Sequence, residues 1–153
     1  MHLPKRDQAL AKLIRAAKPG GWILLEEFDS LSLPAHASVQ SDETTLKSTA
    51  AFRQYLFSRG VDLGYGRRLA SLMRSRGLEN VRAEGSLSMW QGGSVGARFV
   101  KATYQELREA LLQTGALSEQ EFEQDLEKLD DRGFICPSPI MWTTAGRRSD
   151  ALR

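Results

Sequence analysis

The chain has 153 residues, 41% of them hydrophobic, with 26% charged residues of both signs and a formal charge of +2. That size suits one globular domain burying roughly 70% of its unfolded surface, and so mild a charge argues against a nucleic-acid partner. A single cysteine, Cys136, rules out an internal disulfide framework; no apolar run reaches membrane-spanning length and no signal-type segment follows Lys5 and Arg6, so the cytoplasm is the expected location.

Taken in order, His2-Leu3-Pro4 leads into a predicted helix over residues 4 to 18, with Leu10, Leu13, Ile14 and Ala17 at helical spacing. Pro19 and Gly20 stop it. Trp22 to Phe28 then reads as a strand too apolar to alternate cleanly, as expected when both faces are covered. It ends in the carboxylates Glu26, Glu27 and Asp29, and ligands of open α/β sheets bind beyond strand ends of this kind. Residues 30 to 41, rich in Ser, Ala and Pro and containing His36, form a loop placed like a lid.

A helix over 42 to 59 follows, capped by Asp42 or Ser41 and stopped at Gly60. Asp62 is positioned to cap the next helix, which carries Leu69, Leu72 and Met73 inward and several arginines outward before Gly77. Residues 79 to 89 have strand character, so helix-stop-strand occurs twice, which argues for α/β rather than all-α. Trp90 to Ser94 is a turn, and Ser94 caps a long helix ending at Gly115. Ser118 and Glu121 have the spacing of a capping box for a short acidic helix. A final strand over 134 to 143 contains Pro137 and Pro139, which push it towards an edge or a bulge, and the tail from about 148 is expected to fray.

A general acid or base would come most naturally from Glu27, Asp29 or His36, although consecutive Glu26 and Glu27 face opposite sides of a strand and cannot pair as a dyad. Tyr65, Arg68, Trp90 and Arg98 could line a pocket for an organic substrate. Two histidines 34 residues apart and one cysteine give no metal-ligand spacing, so no metal is expected. Neither Gly64-Tyr65-Gly66 nor Gly92-Gly93-Ser94 completes a phosphate or dinucleotide motif.

Ala17-Lys18-Pro19-Gly20-Gly21-Trp22-Ile23-Leu24-Leu25-Glu26-Glu27 resembles the turn and fifth strand of class I S-adenosylmethionine-dependent methyltransferases. His2 to Asp7, Asp62 to Leu69, Gly77 to Val81 and Phe134 to Trp142 resemble the succeeding parts of small-molecule methyltransferases in that group. The resemblance implies a partial Rossmann-like α/β fold: strands five, six and seven at roughly 22 to 29, 79 to 89 and 134 to 143, in a three-stranded mixed sheet of order 5-7-6 with the last strand antiparallel. It implies one partial domain over 1 to 147 with a helical cap at about 30 to 60 and 94 to 131, and a flexible tail at 148 to 153.

The family's glycine-rich cofactor loop and ribose-binding acid belong to the half preceding these strands, and only His2 and Leu3 fall where the family touches S-adenosylmethionine. The expectation is therefore a truncated or separately encoded half. It would act on a small organic acceptor in the complete fold, bind no cofactor alone, and close its open strand edge with a homodimer or a partner supplying the missing strands. The alternative is a non-catalytic interaction or dimerisation domain derived from the same fold.

Overall fold

The computed structural model describes residues 2–33 and 45–150. Within them the chain forms two compact units, one drawn from Met1–Ser30, Gly60–Ser86 and Ile140–Arg153, the other from Leu31–Arg59 and Leu87–Pro139.

The first unit is a sheet carrying two helices. Its elements are α1 (Arg6–Ala16), β1 (Trp22–Asp29), α3 (Tyr65–Ser75), β2 (Leu78–Ser86) and β5 (Ile140–Arg148), while α2 (Ser48–Ser58) belongs to the second unit. The turn between α1 and β1 is built as its residues require. Pro19 fixes one backbone angle, Gly20 takes φ +72°, and the Gly21 N–H donates to Lys18 O at 2.8 Å, closing a type II turn.

The strand order is β1-β5-β2, and β5 runs antiparallel to both neighbours. This is the expected 5-7-6 order with the last strand reversed. Both ladders are antiparallel, so the three-stranded sheet is antiparallel throughout and the expectation of a mixed sheet is corrected. The Trp22↔Arg147 to Asp29↔Ile140 register of β1 with β5 is unbroken, whereas the β2 ladder is interrupted between Glu79 and Arg82, where Asn80 adopts φ 51°.

Leu10 and Ile14 of α1, Met73 of α3, Ile23 of β1 and Leu78 of β2 form the core of this unit, with Leu25, Leu72 and Val81 packed against it. The β1 strand therefore alternates: Ile23 is buried, while Trp22 and Leu24 on the opposite face are 58% and 61% exposed. The expectation of a strand covered on both faces is corrected here. The helices α1 and α3 cover one face, and among the described residues Trp22 and Leu24 have no comparable cover on the other.

The second unit is mostly helical. Besides α2 it contains β3 (Met89–Gln91), α4 (Val95–Glu106), α5 (Arg108–Leu112), α6 (Glu119–Lys128) and β4 (Ile135–Pro137). Its core gathers Ala51, Ala97, Tyr104, Leu111, Phe122, Leu126, Leu129 and Phe134. The Ser118–Glu121 capping box and the Ser94 cap of α4 form as their spacing predicts, the latter through Ala97 N–H at 3.3 Å.

Other boundaries differ. The single helix expected to reach Gly115 breaks at Leu107, whose N–H is shared between the Thr103 and Tyr104 carbonyls at 3.2 Å each. The residues Ser41 and Asp42, expected as caps, lie outside the described residues, and α2 begins at Ser48. Its first N–H is instead capped from across the unit by the buried Asp125 carboxylate of α6 at 2.6 Å. Glu121 and Lys128, on either side of Asp125 along α6, bond Lys47 and the Thr45 carbonyl at 3.1 and 3.4 Å, so one stripe of α6 holds the start of α2.

The strand expected over 134 to 143 is two strands. Pro137 ends β4, which pairs with β3, and β5 starts after Pro139, because neither proline can donate to a continuing ladder. The second strand then runs to Arg148, whose guanidinium donates to Ala17 O and to Arg15 O, the latter at 2.9 Å.

Candidate functional site at the end of strand one

The carboxyl end of β1 meets the first turn of α3. Gly66 makes this approach possible: a Cβ there would lie 2.7 Å from the Glu27 carbonyl oxygen and 3.0 Å from Cδ1 of Trp142. Glycine is needed here for close packing, not for a special backbone angle.

Asp29 is 1% exposed, and Arg67 grips both its carboxylate oxygens, Nε to Oδ2 at 2.7 Å and Nη2 to Oδ1 at 2.8 Å. Trp142 Nε1 donates to Oδ2 at 3.4 Å. The pair is a bidentate, charge-assisted fork, with the acid inside and the arginine side chain 46% exposed. Glu27 is half-buried two residues back, and its Oε1 accepts the Phe28 N–H at 3.2 Å.

Beside this pair, Asp62 accepts from Arg68 and lies 3.6 Å from Arg6 Nε. Asp62 does not cap α3. The cap residue is Gly64, whose N–H reaches Asp62 Oδ1 at 3.3 Å, so the aspartate forms a turn just ahead of the helix. Arginines in the first turn of a helix oppose its dipole. At α3 the two carboxylates Asp29 and Asp62 offset that repulsion. Tyr65 is buried under the Arg6 guanidinium, 5.9 Å from the ring centroid, and burial together with nearby Asp7 holds its hydroxyl above the usual pKa.

The strand end thus gathers Glu27, Asp29, Tyr65 and Arg68 of the predicted set in one unit. Two other predicted substrate contacts belong to the second unit. Trp90 lies in β3, half-buried, with Gly96 against its ring, and Arg98 is exposed on α4, donating to Gly93 O at 3.2 Å. His36 lies outside the described residues. His2 and Leu3 are exposed ahead of α1, and the Leu3 carbonyl accepts from Arg6 Nη1 at 3.1 Å. Two exposed residues, one with its carbonyl already bonded, do not fit a cradle for S-adenosylmethionine, and no chemistry of that cofactor can be assigned to them.

Sequence reasoning missed Arg67 and Trp142, which organise the site. Arg67 and Arg68 are indistinguishable in sequence, and only the contact of Arg67 with Asp29, 38 residues away, separates their roles. Among the described residues no three His, Cys, Asp or Glu side chains are grouped to hold a metal ion, and no helix is long and apolar enough to cross a membrane.

No protein-family model matches the chain, and no curated protein does. Among solved structures, phosphoethanolamine N-methyltransferase 2 of Haemonchus contortus, determined with phosphomonomethylethanolamine and S-adenosylhomocysteine, is similar at 15% identity and a TM-score of 0.45. The alignment covers 97% of this chain and 31% of that one, so this chain spans less than a third of that enzyme's length.

Proposed function

We propose that this chain is the carboxyl-terminal part of an S-adenosylmethionine-dependent methyltransferase that acts on a small organic acceptor in its complete form, and that the 153-residue chain alone does not catalyse the reaction. The observation that supports this reading is the sheet itself. A central β5 runs against two outer strands of common direction, in the order β1-β5-β2, with the site-bearing carboxylates at the end of β1. A strand that pairs with the outer edge of β1 would complete the sheet.

In this proposal Glu27 is the candidate base at the strand end, with His36 as a second candidate. Asp29 is a positioning residue, because both its oxygens are given to Arg67. Tyr65 and Arg68 are the candidate acceptor contacts within the first unit. The chain is placed in the cytoplasm, consistent with its one cysteine being a buried thiol.

The second reading, a non-catalytic interaction domain, is favoured by one observation: the exposed Trp22 and Leu24 on an outer strand. The coding sequence upstream separates the two. A continuous frame encoding a strand, a glycine-rich loop and a ribose-binding acid supports the enzyme, and an unrelated upstream sequence overturns it in favour of the interaction domain.

A further inference from the structure

The outward side of α1 combines cations with apolar side chains and holds no acid. Lys5, Lys12 and Arg15 follow at helical spacing from the cap of α1 to its last turn, Lys18 comes just beyond it, and all four are exposed. Asp7, the one carboxylate within α1, is engaged by Arg76 at the end of α3, 3.4 Å away. Leu3 and Leu13, 57% and 47% exposed, accompany the cations, while Leu10 and Ile14 anchor the same helix in the core. Arg148 Nη1 donates to Arg15 O at 2.9 Å and adds its charge at the helix end.

Helix stability accounts for part of this pattern. Arg15, Lys18 and Arg148 stand at the negative end of the α1 dipole and stabilise it. Lys5 does the reverse. It occupies the N-cap, where its side chain makes no capping bond and its charge opposes the positive end of the dipole. Stability does not explain two exposed leucines among the cations either. Cations along a helix face, with leucines beside them, are the composition of a segment that rests on an anionic bilayer.

We infer that this side of α1 docks the first unit on membranes containing anionic phospholipid. Leu3 and Leu13 enter the headgroup layer, and Lys5, Lys12, Arg15 and Lys18 lie among the phosphates. Charge complementarity requires an anionic partner, and the leucines select a bilayer among anionic partners, because a nucleic-acid backbone offers them no apolar layer. Single-stranded nucleic acid is gripped by exposed aromatic rings, and α1 carries none. Leu10 and Ile14 hold the helix in place, so the surface is formed before the membrane is met. The inference does not rest on the methyltransferase reading: a strand added beside β1 lies in the plane of the sheet, whereas α1 lies on its face.

Each cation close to such a surface strengthens binding about fivefold, so four give a preference of about 10²–10³ over neutral vesicles. Sedimentation of the full chain with phosphatidylcholine vesicles containing about 30% phosphatidylserine should show half-binding near about 1 mM lipid. Binding should be absent with phosphatidylcholine alone and lost as salt rises from about 0.05 to 0.5 M. K5D/K12E should weaken binding at least about a hundredfold and yet keep or raise the thermal stability, because aspartate supplies the side-chain cap that α1 lacks. R59E/R132E makes the same change in net charge at exposed positions of the second unit and should bind within about threefold of wild type. L3S/L13S should weaken binding about tenfold with an unchanged circular dichroism spectrum. No binding to the anionic vesicles, equal binding to neutral ones, or equal losses in K5D/K12E and R59E/R132E overturns the proposal. Wild-type binding by L3S/L13S, or tighter binding to a DNA duplex at matched phosphate concentration, overturns the choice of a bilayer.

Discussion

Replacing Arg67 with alanine should destabilise the first unit more than replacing its partner Asp29 with asparagine. The reason is an asymmetry of burial: the Asp29 carboxylate is 1% exposed, whereas the Arg67 side chain is 46% exposed. In R67A the carboxylate stays inside and loses donors at 2.7 and 2.8 Å, keeping the longer 3.4 Å bond from Trp142 among its contacts. Breaking a fully buried ion pair costs about 3–5 kcal/mol; discounted for the half-exposed arginine, the expected loss is about 2–3 kcal/mol. In D29N no buried charge remains and water takes over the exposed guanidinium, so the cost is about 1 kcal/mol. R67A/D29N should be less destabilised than R67A, since the second change removes the buried charge that the first left behind.

Native-state hydrogen exchange at Thr144 and Gly146 in β5 reads the first unit directly, which a global melt of a two-unit chain does not. R67A should speed exchange there by about 30- to 150-fold, D29N by under about tenfold. Equal or strictly additive effects would refute the reasoning and make the pair a surface contact of little consequence.

In Gly66→Ala, helix propensity alone predicts a gain of about 1 kcal/mol, but the new Cβ would meet the Glu27 carbonyl at 2.7 Å. A net loss of about 2 kcal/mol in urea unfolding is therefore expected, and any stabilisation would contradict the packing account. Asp125→Ala should cost about 1–2 kcal/mol and speed exchange at the Ser48 amide, because it removes the carboxylate that accepts that N–H. Glu121 is held down to a pKa of about 2 by the Ser118 backbone N–H first, then by Lys47 and the Ser118 hydroxyl. A depressed carboxylate contributes stability that is complete above its ordinary value and is lost as pH falls through the folded one. The α6 start should thus weaken between pH about 4.5 and 2, and K47M should move the carboxylate titration upward by NMR. Burial pushes the Cys136 thiol up to about 11, so a thiol reagent at pH 8 should label it only on unfolding, and rapid native labelling would contradict its placement.

What was legible in the sequence was local. Pro19 and Gly20 dictate a turn whatever surrounds them, Ser118 and Glu121 cap at fixed spacing, and the apolar run from Trp22 could only be a strand. The strand order was read from a resemblance and not from the residues, since nothing in the periodicity of the 140–148 stretch says which strands flank it. What escaped was non-local. The cap of α2 comes from Asp125, 77 residues further on, and the arginine of the site was confused with its neighbour because only a contact across 38 residues separates them. In the sequence Pro137 and Pro139 suggest only a local irregularity, but their effect is to divide one strand between two sheets. The apolar composition of β1 suggests cover on both faces, but composition does not show that only the Ile23 face meets the helices.

The most direct measurement is S-adenosylmethionine calorimetry on two preparations: the 153-residue chain and the polypeptide read in frame from further upstream. The account predicts no saturable heat for the first and low-micromolar binding for the second. Saturable binding by the 153-residue chain alone, or none by either, would contradict it.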